Sequence, residues 1–242
     1  MLGSSQSIAG PNIVLNTIMA EELSKFADIL EAADDFDSAL QELVCDTFTK
    51  HQRIIFNGNG YSEEWEQEAA RRGLSNLNTT AKALPTYISE KNIDLVTRHG
   101  IYTEAEFRAR YEIHLESYVK LIRIESKSMV DMSLHQILPA AMRYSSDLAQ
   151  AVLRKKELGI SAKAENDLTR RLSQTIDNLY EKTEQLAKDI KAIPANSYDA
   201  TMYCSEVLVS DMNALRKDAD LLEKLTDKSY WPYPIYSDIL YY

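Results

Sequence analysis

The sequence has 242 residues, of which 45% are hydrophobic and 26% charged, as in an ordinary globular protein with one large domain or two small ones. Its 27 basic residues are scattered and outnumbered by 37 acidic ones, which argues against binding to nucleic acid or to an anionic membrane. No stretch approaches the roughly 18–20 apolar residues of a membrane span, and the N-terminus lacks the pattern of a signal peptide. Two cysteines are too few for a disulfide framework or a zinc site, and free thiols are typical of the cytoplasm.

Turn residues are scarce in this chain, with only 7 Gly and 6 Pro. A strand-and-turn protein needs such residues about every ten positions, so the composition predicts a mainly helical fold. The first third is predicted as a loop over residues 1–11, followed by a helix that Asn12 caps. The acidic run at residues 34–38 breaks that helix, and a second one starts at Ser38.

The segment FNGNGYS must turn, because Gly58 and Gly60 permit positive φ. Ser62 is a good N-cap for the following EEWEQEAARR helix, and Gly73 is a typical stop. A phosphate-binding loop is the alternative interpretation of this glycine-rich segment. It lacks the Lys-Ser/Thr pair of a P-loop, so an ordinary helix–helix turn is favoured.

A long helix is predicted in the middle of the chain. Thr103 and Glu106 form a capping box at its start, and Pro139 should kink or end it. A further helix then runs over residues 140–158 and stops at Gly159. The side of the long helix that faces the core is predicted from spacings of three and four: Phe107, Tyr111, His114, Leu115, Tyr118, Leu121, Ile122, Glu125, Met129, Met132 and Gln136.

Two apolar seams follow in the last third, separated by a short IPANS break. Together they predict a long antiparallel helical hairpin. The first seam consists of Leu168, Leu172, Ile176, Leu179, Thr183, Leu186, Ile190 and Ile193, and the second of Leu208, Met212, Leu215, Ala219, Leu222 and Thr226.

Histidines close to acidic residues are the candidate metal ligands of this sequence. Asp131 and His135 stand four residues apart on a predicted helix and could bind a metal, but no third ligand occurs at helical spacing, which favours a surface pair. Glu112, His114 and Glu116 are spaced by two and therefore point in different directions on a helix. This cluster predicts no site.

Two further candidates predict no chemistry. Cys45 has no neighbouring histidine or basic residue to activate it, which favours a buried structural thiol. Asp34, Asp35 and Asp37 lack the glycine and distal glutamate of a calcium loop and are predicted to be a solvated acidic turn. Neither the residues nor their spacing reveals a catalytic, cofactor-binding or metal-binding constellation.

Several segments, in their order along the chain, nevertheless resemble the C-terminal portion of the large, type III glutamine synthetases. The resemblance covers nearly the whole chain and is weakest between about residues 149 and 229. The segments are GSSQSIAGPNIVLNTIMAEEL, RIIFNGNGYSEEW with its continuation EQEAARRGLSNLNTTAKALPTYISEKN, EAEFRARYEIHLESY, ESKSMVDM and YWPYPIYSDILYY.

This resemblance implies a parent ligase that joins ammonia to glutamate through γ-glutamyl phosphate, with ATP and Mg²⁺ or Mn²⁺ as its cofactors. In type III enzymes a metal-ligand Glu and a phosphate-facing Arg directly precede the segment that matches GSSQSIAGPN. The resemblance therefore implies that the catalytic, cofactor-binding and metal-binding residues precede Met1 and that none lies in this chain. It also implies the rest of the catalytic subunit as a partner, and a homo-oligomer in the full enzyme.

The sequence thus predicts an all-α fold, a multi-helix C-terminal extension with a long antiparallel hairpin. Residues 1–50 are predicted as the end of the glutamine synthetase catalytic domain and residues 51–160 as a helical C-terminal domain. Residues 161–228 are predicted as the hairpin and residues 229–242 as a docked tail rich in aromatic residues and proline. The chain as a whole is predicted to have a structural or assembly role in the enzyme. The alternative is a free-standing all-helical interaction or oligomerisation protein without catalysis.

Overall fold

The computed structural model describes residues 7–240, apart from the side chains of Tyr236 and Ser237, and this part of the chain contains helices and no strand. The predicted all-α fold is confirmed. The chain divides into two compact units, one extending to Tyr111 and the other starting at Glu112. The four segments predicted from the sequence remain a prediction.

The first unit contains five helices and the beginning of a sixth. They are α1 (Ala9–Glu31), α2 (Phe36–His51), α3 (Glu63–Arg71), α4 (Thr80–Tyr87), α5 (Glu90–Arg98) and α6 (Glu104–Met132), with a 3₁₀ turn at Gln52–Ile54. The predicted caps are present: the Ser62 hydroxyl accepts the Trp65 N–H, and the Thr103 N–H donates to Glu106 Oε2 at 2.9 Å. Gly73 ends α3 with φ of +70°, a conformation that favours glycine.

Aromatic side chains form a cluster near the start of α6. Phe107 is 4% exposed and stacks on Tyr87, with ring centroids 4.2 Å apart. The ring centroid of Tyr102 lies 5.9 Å from that of Phe107, and the Arg110 guanidinium lies over the Tyr102 ring. Ordered aromatic contacts of this kind add stabilisation beyond the burial of area, so they fix the first turns of α6 to the rest of this unit.

The start of α1 differs from the prediction. The helix begins at Ala9, and the Asn12 N–H already donates to the Ile8 carbonyl at 3.1 Å, so Asn12 is not the cap. Pro11 explains the earlier start: its fixed φ suits the first helical turn, where its missing N–H leaves no hydrogen bond unmade. The preceding residues 1–6, predicted as loop, lie outside the described part of the chain.

The second unit contains the rest of α6 and the helices that follow. They are α7 (Leu138–Glu157), α8 (Lys163–Lys191), α9 (Ser197–Tyr203), α10 (Val209–Leu225) and α11 (Tyr236–Leu240), with a first π turn at Ser133–Ile137 and a second at Cys204–Leu208. The core lies mainly between α7, α8 and α10. Both predicted seams are buried in it, with Leu172, Leu179, Leu186, Leu208 and Leu222 wholly inaccessible to solvent.

The hairpin of α8 and α10 is antiparallel, as two polar contacts demonstrate. Lys182 Nζ on α8 donates to Asp218 Oδ2 on α10 at 2.6 Å. One heptad further along α8, Asp189 contacts Asp211, which lies one heptad earlier on α10. The hairpin is not isolated, because α7 also packs along α8 and contributes Leu138 and Ala141 to the same core.

Pro139 does not end the long helix. The first π turn connects α6 directly to α7, and Pro139 is the second residue of α7. A π turn widens the hydrogen-bonding pattern by one residue, and this irregularity accommodates the missing N–H and the ring of the proline. Pro139 was predicted to kink or end the long helix, and it does not end it.

The C-terminal segment packs on the second unit. Trp231 and Tyr233 lie against its apolar core. The Tyr230 hydroxyl donates to Asp147 on α7, and its ring centroid lies 5.2 Å from that of Tyr144. Exposed aromatic surface is unfavourable in water, so these contacts hold the segment up to residue 235 against the second unit.

Candidate functional site

Helix α1 is amphipathic in the reverse of the usual sense. Its buried residues are Thr17 and Glu21, which are 4% and 7% exposed. On the opposite side of the helix, at a spacing of four, Leu15, Met19 and Leu23 are each more than half exposed. A surface helix normally buries its apolar stripe and leaves polar residues in water. The outer face of α1, defined by these three residues, is therefore an apolar surface without a partner among the described residues.

Helix α2 repeats the pattern without burying any residue. Its exposed apolar residues recur every four positions, at Phe36, Leu40, Val44 and Phe48. Scattered exposed hydrophobic residues are normal in proteins, but a continuous apolar line along a helix is typical of a contact surface. The α2 stripe, defined by these four residues, is a second such surface.

A polar cluster holds α1 against α5. Glu21 Oε2 lies 2.7 Å from His99 Nε2, and Glu21 Oε1 lies 3.1 Å from Arg98 Nη1. Lys25, one turn further along α1, approaches Oε1 at 3.3 Å. The hydrogen bond from His99 is the main cause that lowers the pKa of Glu21, and burial opposes it. Because three donors surround it, the carboxylate is stabilised in its ionised form where it meets α5.

Side-chain contacts stabilise the glycine-rich turn. Phe56 stacks on Trp65 with ring centroids 4.5 Å apart, and Arg72 Nη1 donates to the Ile55 carbonyl at 2.8 Å. A Cβ at Gly58 would lie 2.6 Å from the Phe56 ring, so this glycine permits a close approach. Neither Gly58 nor Gly60 adopts the positive φ that glycine permits. Because the arginine here binds backbone carbonyls of its own loop, the geometry favours the predicted helix–helix turn.

The metal-ligand candidates form ordinary surface contacts. His135 Nδ1 lies 2.9 Å from Asp131 Oδ1, and both side chains are about two-thirds exposed, as expected for a surface pair. Glu112, His114 and Glu116 are all exposed along α6, and Glu116 pairs with Lys120 instead. Across residues 7–240, no group of three or more His, Cys, Asp or Glu could hold a metal ion.

The acidic turn and the two cysteines differ in their exposure to solvent. Asp34, Asp35 and Asp37 are exposed, and the Ser38 hydroxyl donates to Asp35, which lowers the pKa of that carboxyl. The prediction for Cys45 was wrong: it is exposed, because α2 buries no residue. Cys204 is the buried thiol, and burial raises its pKa.

Sequence reasoning missed the Glu21–His99 contact. The local signal was the four-residue spacing of Thr17 and Glu21, which places two polar residues on one line of the helix. The two partners are 78 residues apart, and periodicity carries no information about such distant pairs.

Comparison with known proteins identifies the family that this helical chain resembles. The model of the family described as "Glutamine synthetase C-terminal domain" matches residues 39–156. A glutamine synthetase of Butyrivibrio fibrisolvens is 37% identical over 220 residues, which cover 87% of this chain and 31% of the relative. The "Type-3 glutamine synthetase" of Dictyostelium discoideum is 34% identical, over 99% of this chain and 34% of the relative.

The chain corresponds to a C-terminal portion of a glutamine synthetase, as the type III resemblance implied. It spans about a third of the length of the curated relatives it matches. The family model begins at residue 39, whereas the match to the Dictyostelium protein extends over nearly the whole chain. Helix α1 is therefore shared with a relative, although it lies outside the part that the C-terminal domain model describes.

Proposed function

We propose that this chain is the C-terminal segment of a glutamate–ammonia ligase and that the segment itself has a structural role. The whole protein would form glutamine from glutamate and ammonia through γ-glutamyl phosphate, with ATP and Mg²⁺ or Mn²⁺ as cofactors. Support for the ligase comes from the similarity to three proteins named glutamine synthetase. We place the residues that bind ATP, metal and substrate in the other two thirds of that polypeptide.

The observation that carries the structural role is the reversed amphipathicity of α1. Helix α1 buries Glu21 and exposes Leu15, Met19 and Leu23. Burial of each of these apolar side chains against a partner would stabilise the protein by roughly 1.5–3 kcal/mol. The preceding part of the polypeptide is the partner we propose for the outer face of α1. This assignment agrees with the predicted role of residues 1–50 as the end of the catalytic domain.

The Glu21 cluster gives α1 a second contact on its other side. Through His99 and Arg98 it fastens the helix to α5, which lies inside the matched C-terminal domain. In the proposed whole subunit, α1 is therefore held on both faces and joins the catalytic part to the C-terminal domain. We further propose a cytoplasmic homo-oligomer. No helix in the described part of the chain is both long enough and apolar enough to cross a membrane.

Glutamine formation tests this proposal in three samples: the chain alone, the preceding part of a type III subunit, and the two fused. We expect activity in the fusion and none in the chain alone, because phosphoryl transfer needs metals held by several carboxylates and a positioned cation. Glutamine formation by the chain alone would refute the placement of the catalytic residues outside it. Full activity of the preceding part alone would refute the structural role.

Variants of the outer face sharpen this test. Met19→Asp in the fusion should weaken assembly and activity together, because it places a charge in the proposed apolar contact. Ser24→Asp is the matched control, since Ser24 is exposed on α1 away from that face. Equal behaviour of the two variants would argue against the outer face as the contact. It would then favour the alternative, a free-standing interaction protein that uses another surface.

A further inference from the structure

Two carboxyl groups meet across the hairpin where it approaches the connection between α8 and α9. Asp189 on α8 and Asp211 on α10 are in hydrogen-bonding contact. Both oxygens of Asp189 already receive donors: the Tyr203 hydroxyl at 3.3 Å on Oδ1, and the Gln185 amide at 2.7 Å on Oδ2. Asp189 is therefore already an acceptor at both of its oxygens.

Asp211 is in a different position. Its Oδ2 is buried, and no group within residues 7–240 donates a hydrogen bond to it. A buried carboxylate oxygen without a donor is costly, and here it also faces a second negative charge. A proton on Asp211 resolves both problems, because a protonated carboxyl donates a hydrogen bond that an ionised neighbour accepts.

We propose that Asp189 and Asp211 share one proton, carried by Asp211 and donated to Asp189, and that this shared proton is a pH-sensitive latch between α8 and α10. The latch is closed while the proton is present. When the proton is lost, two adjacent carboxylates repel each other, and this end of the hairpin loosens. The proposal concerns the fold of this chain and does not depend on the ligase activity.

The groups around the pair favour this arrangement. On α8, Asp189 contacts Asp211 and accepts the hydrogen bond from the Gln185 amide. Tyr203 on α9 lies near both aspartates, and Cys204 of the second π turn lies near Tyr203. Burial, followed by the hydrogen bond and the charge of Asp189, raises the pKa of Asp211. Burial and the neighbouring Asp189 also raise the pKa of Tyr203, which keeps its hydroxyl protonated as a donor. Neither aspartate forms an ion pair with a described side chain that would neutralise it.

The sign of the effect on stability is opposite to that of Glu21, whose pKa is lowered. An acid whose folded pKa is raised binds more protons in the folded state than in the unfolded state. Its contribution to stability is therefore complete below the ordinary aspartate pKa of 3.8 and is lost as pH rises through the folded pKa. The Lys182–Asp218 ion pair joins the two helices one heptad away, so we expect the loosening to be confined to one end of the hairpin.

The decisive measurement is a carboxyl ¹³C NMR titration of the 242-residue chain, combined with amide exchange. We expect Asp211 to titrate above 3.8 and the protection factors of residues 209–214 to fall over the same pH range. The fall should be roughly tenfold for each unit by which the pKa of Asp211 is raised. Protection of Leu222, deep in the same seam, should change much less and serves as the internal reference.

Asp211→Asn tests the mechanism, because an amide donates to Asp189 without titrating. In this variant the protection of residues 209–214 should become independent of pH over that range. Asp177→Asn, on the exposed side of α8, is the control and should keep the wild-type dependence. Titration of Asp211 at or below 3.8 in the wild type would overturn the proposal whether or not the variant folds. An unchanged pH dependence in folded Asp211→Asn would also overturn it.

Discussion

Lys182 on α8 bridges two successive turns of α10: its ammonium donates to Asp218 Oδ2 at 2.6 Å and to the Ala214 carbonyl at 3.2 Å. The two acceptors lie one helical turn apart and flank Leu215, which is 1% exposed. The apolar seam drives the two helices together, and the lysine fixes how far one is shifted along the other. Because Asp218 is largely shielded from solvent, this pair is better placed than an exposed surface bridge to hold the register.

Truncation of Leu215 should destabilise the second unit. We expect Leu215→Ala to lower the free energy of unfolding by roughly 2–5 kcal/mol, because it removes a wholly buried side chain and leaves a cavity. Leu221→Ala is the matched control on the same helix, since that leucine is 38% exposed. Urea denaturation followed by circular dichroism measures both changes. A cost for Leu215 no larger than that for Leu221 would contradict the packing of the seam.

The glycine-rich turn should tolerate alanine at one glycine and not at the other. Gly58→Ala should push the Phe56 ring off Trp65 and remove a stacking contact of about 0.5–1.5 kcal/mol. Gly60→Ala is the control, because nothing lies within 4 Å of a Cβ there. In a Trp231→Phe background, the remaining tryptophan fluorescence should shift to the red for the first variant only.

Loss of the Glu21 charge should make α1 less stable in a pH-dependent way. The folded pKa of Glu21 is lowered, so its contribution is present above the ordinary value of 4.5 and is lost as pH falls through the folded pKa. Glu21→Gln should therefore increase amide exchange in α1 near neutral pH and have little effect in acid. Glu22→Gln is the neighbouring control, because Glu22 is 46% exposed and its carboxylate pairs with Lys25 on the same helix. Equal effects of the two variants would show that burial of Glu21 against α5 is unimportant.

The C-terminal segment should be protected from proteases by its aromatic contacts. Trp231→Ala should expose residues 229–240 to limited proteolysis, since the indole packs on the core of the second unit. Tyr230→Phe removes only the hydroxyl that donates to Asp147 and should have a smaller effect. Rapid trimming of the wild-type chain without loss of stability would contradict docking.

Local features were predicted well because their causes are local. The capping box of Thr103 and Glu106 needs only three residues of helix to form. The seam that contains Leu179 follows from helical periodicity once a second helix can cover it. The sequence could not reveal that Glu21 meets His99 or that Cys45 is exposed. Both depend on which helix lies beside which, and that is decided by packing between distant segments.

Prolines are involved in two differences from the predicted helices. Pro11 was assigned to a loop, and Pro139 to a kink or an end of the long helix. The structure places Pro11 in the first turn of α1 and Pro139 just after a π turn. The turn was predicted at Gly58 and Gly60 because glycine permits positive φ, and neither residue adopts it. At Gly58 the missing side chain matters instead, because a Cβ there would meet the Phe56 ring.

The first π turn sets the rotational phase of everything that follows it on the same continuous helix. One residue more than an α-helical turn requires is accommodated between Ser133 and Ile137, and each residue corresponds to about 100° of rotation. Deleting one residue there would restore an uninterrupted α-helix and leave Leu138 and Ala141 facing α8. If the present sequence were wound as an uninterrupted α-helix instead, these two residues would be turned away from α8 by about 100°. The extra residue of the π turn therefore keeps α7 in phase with its packing partner.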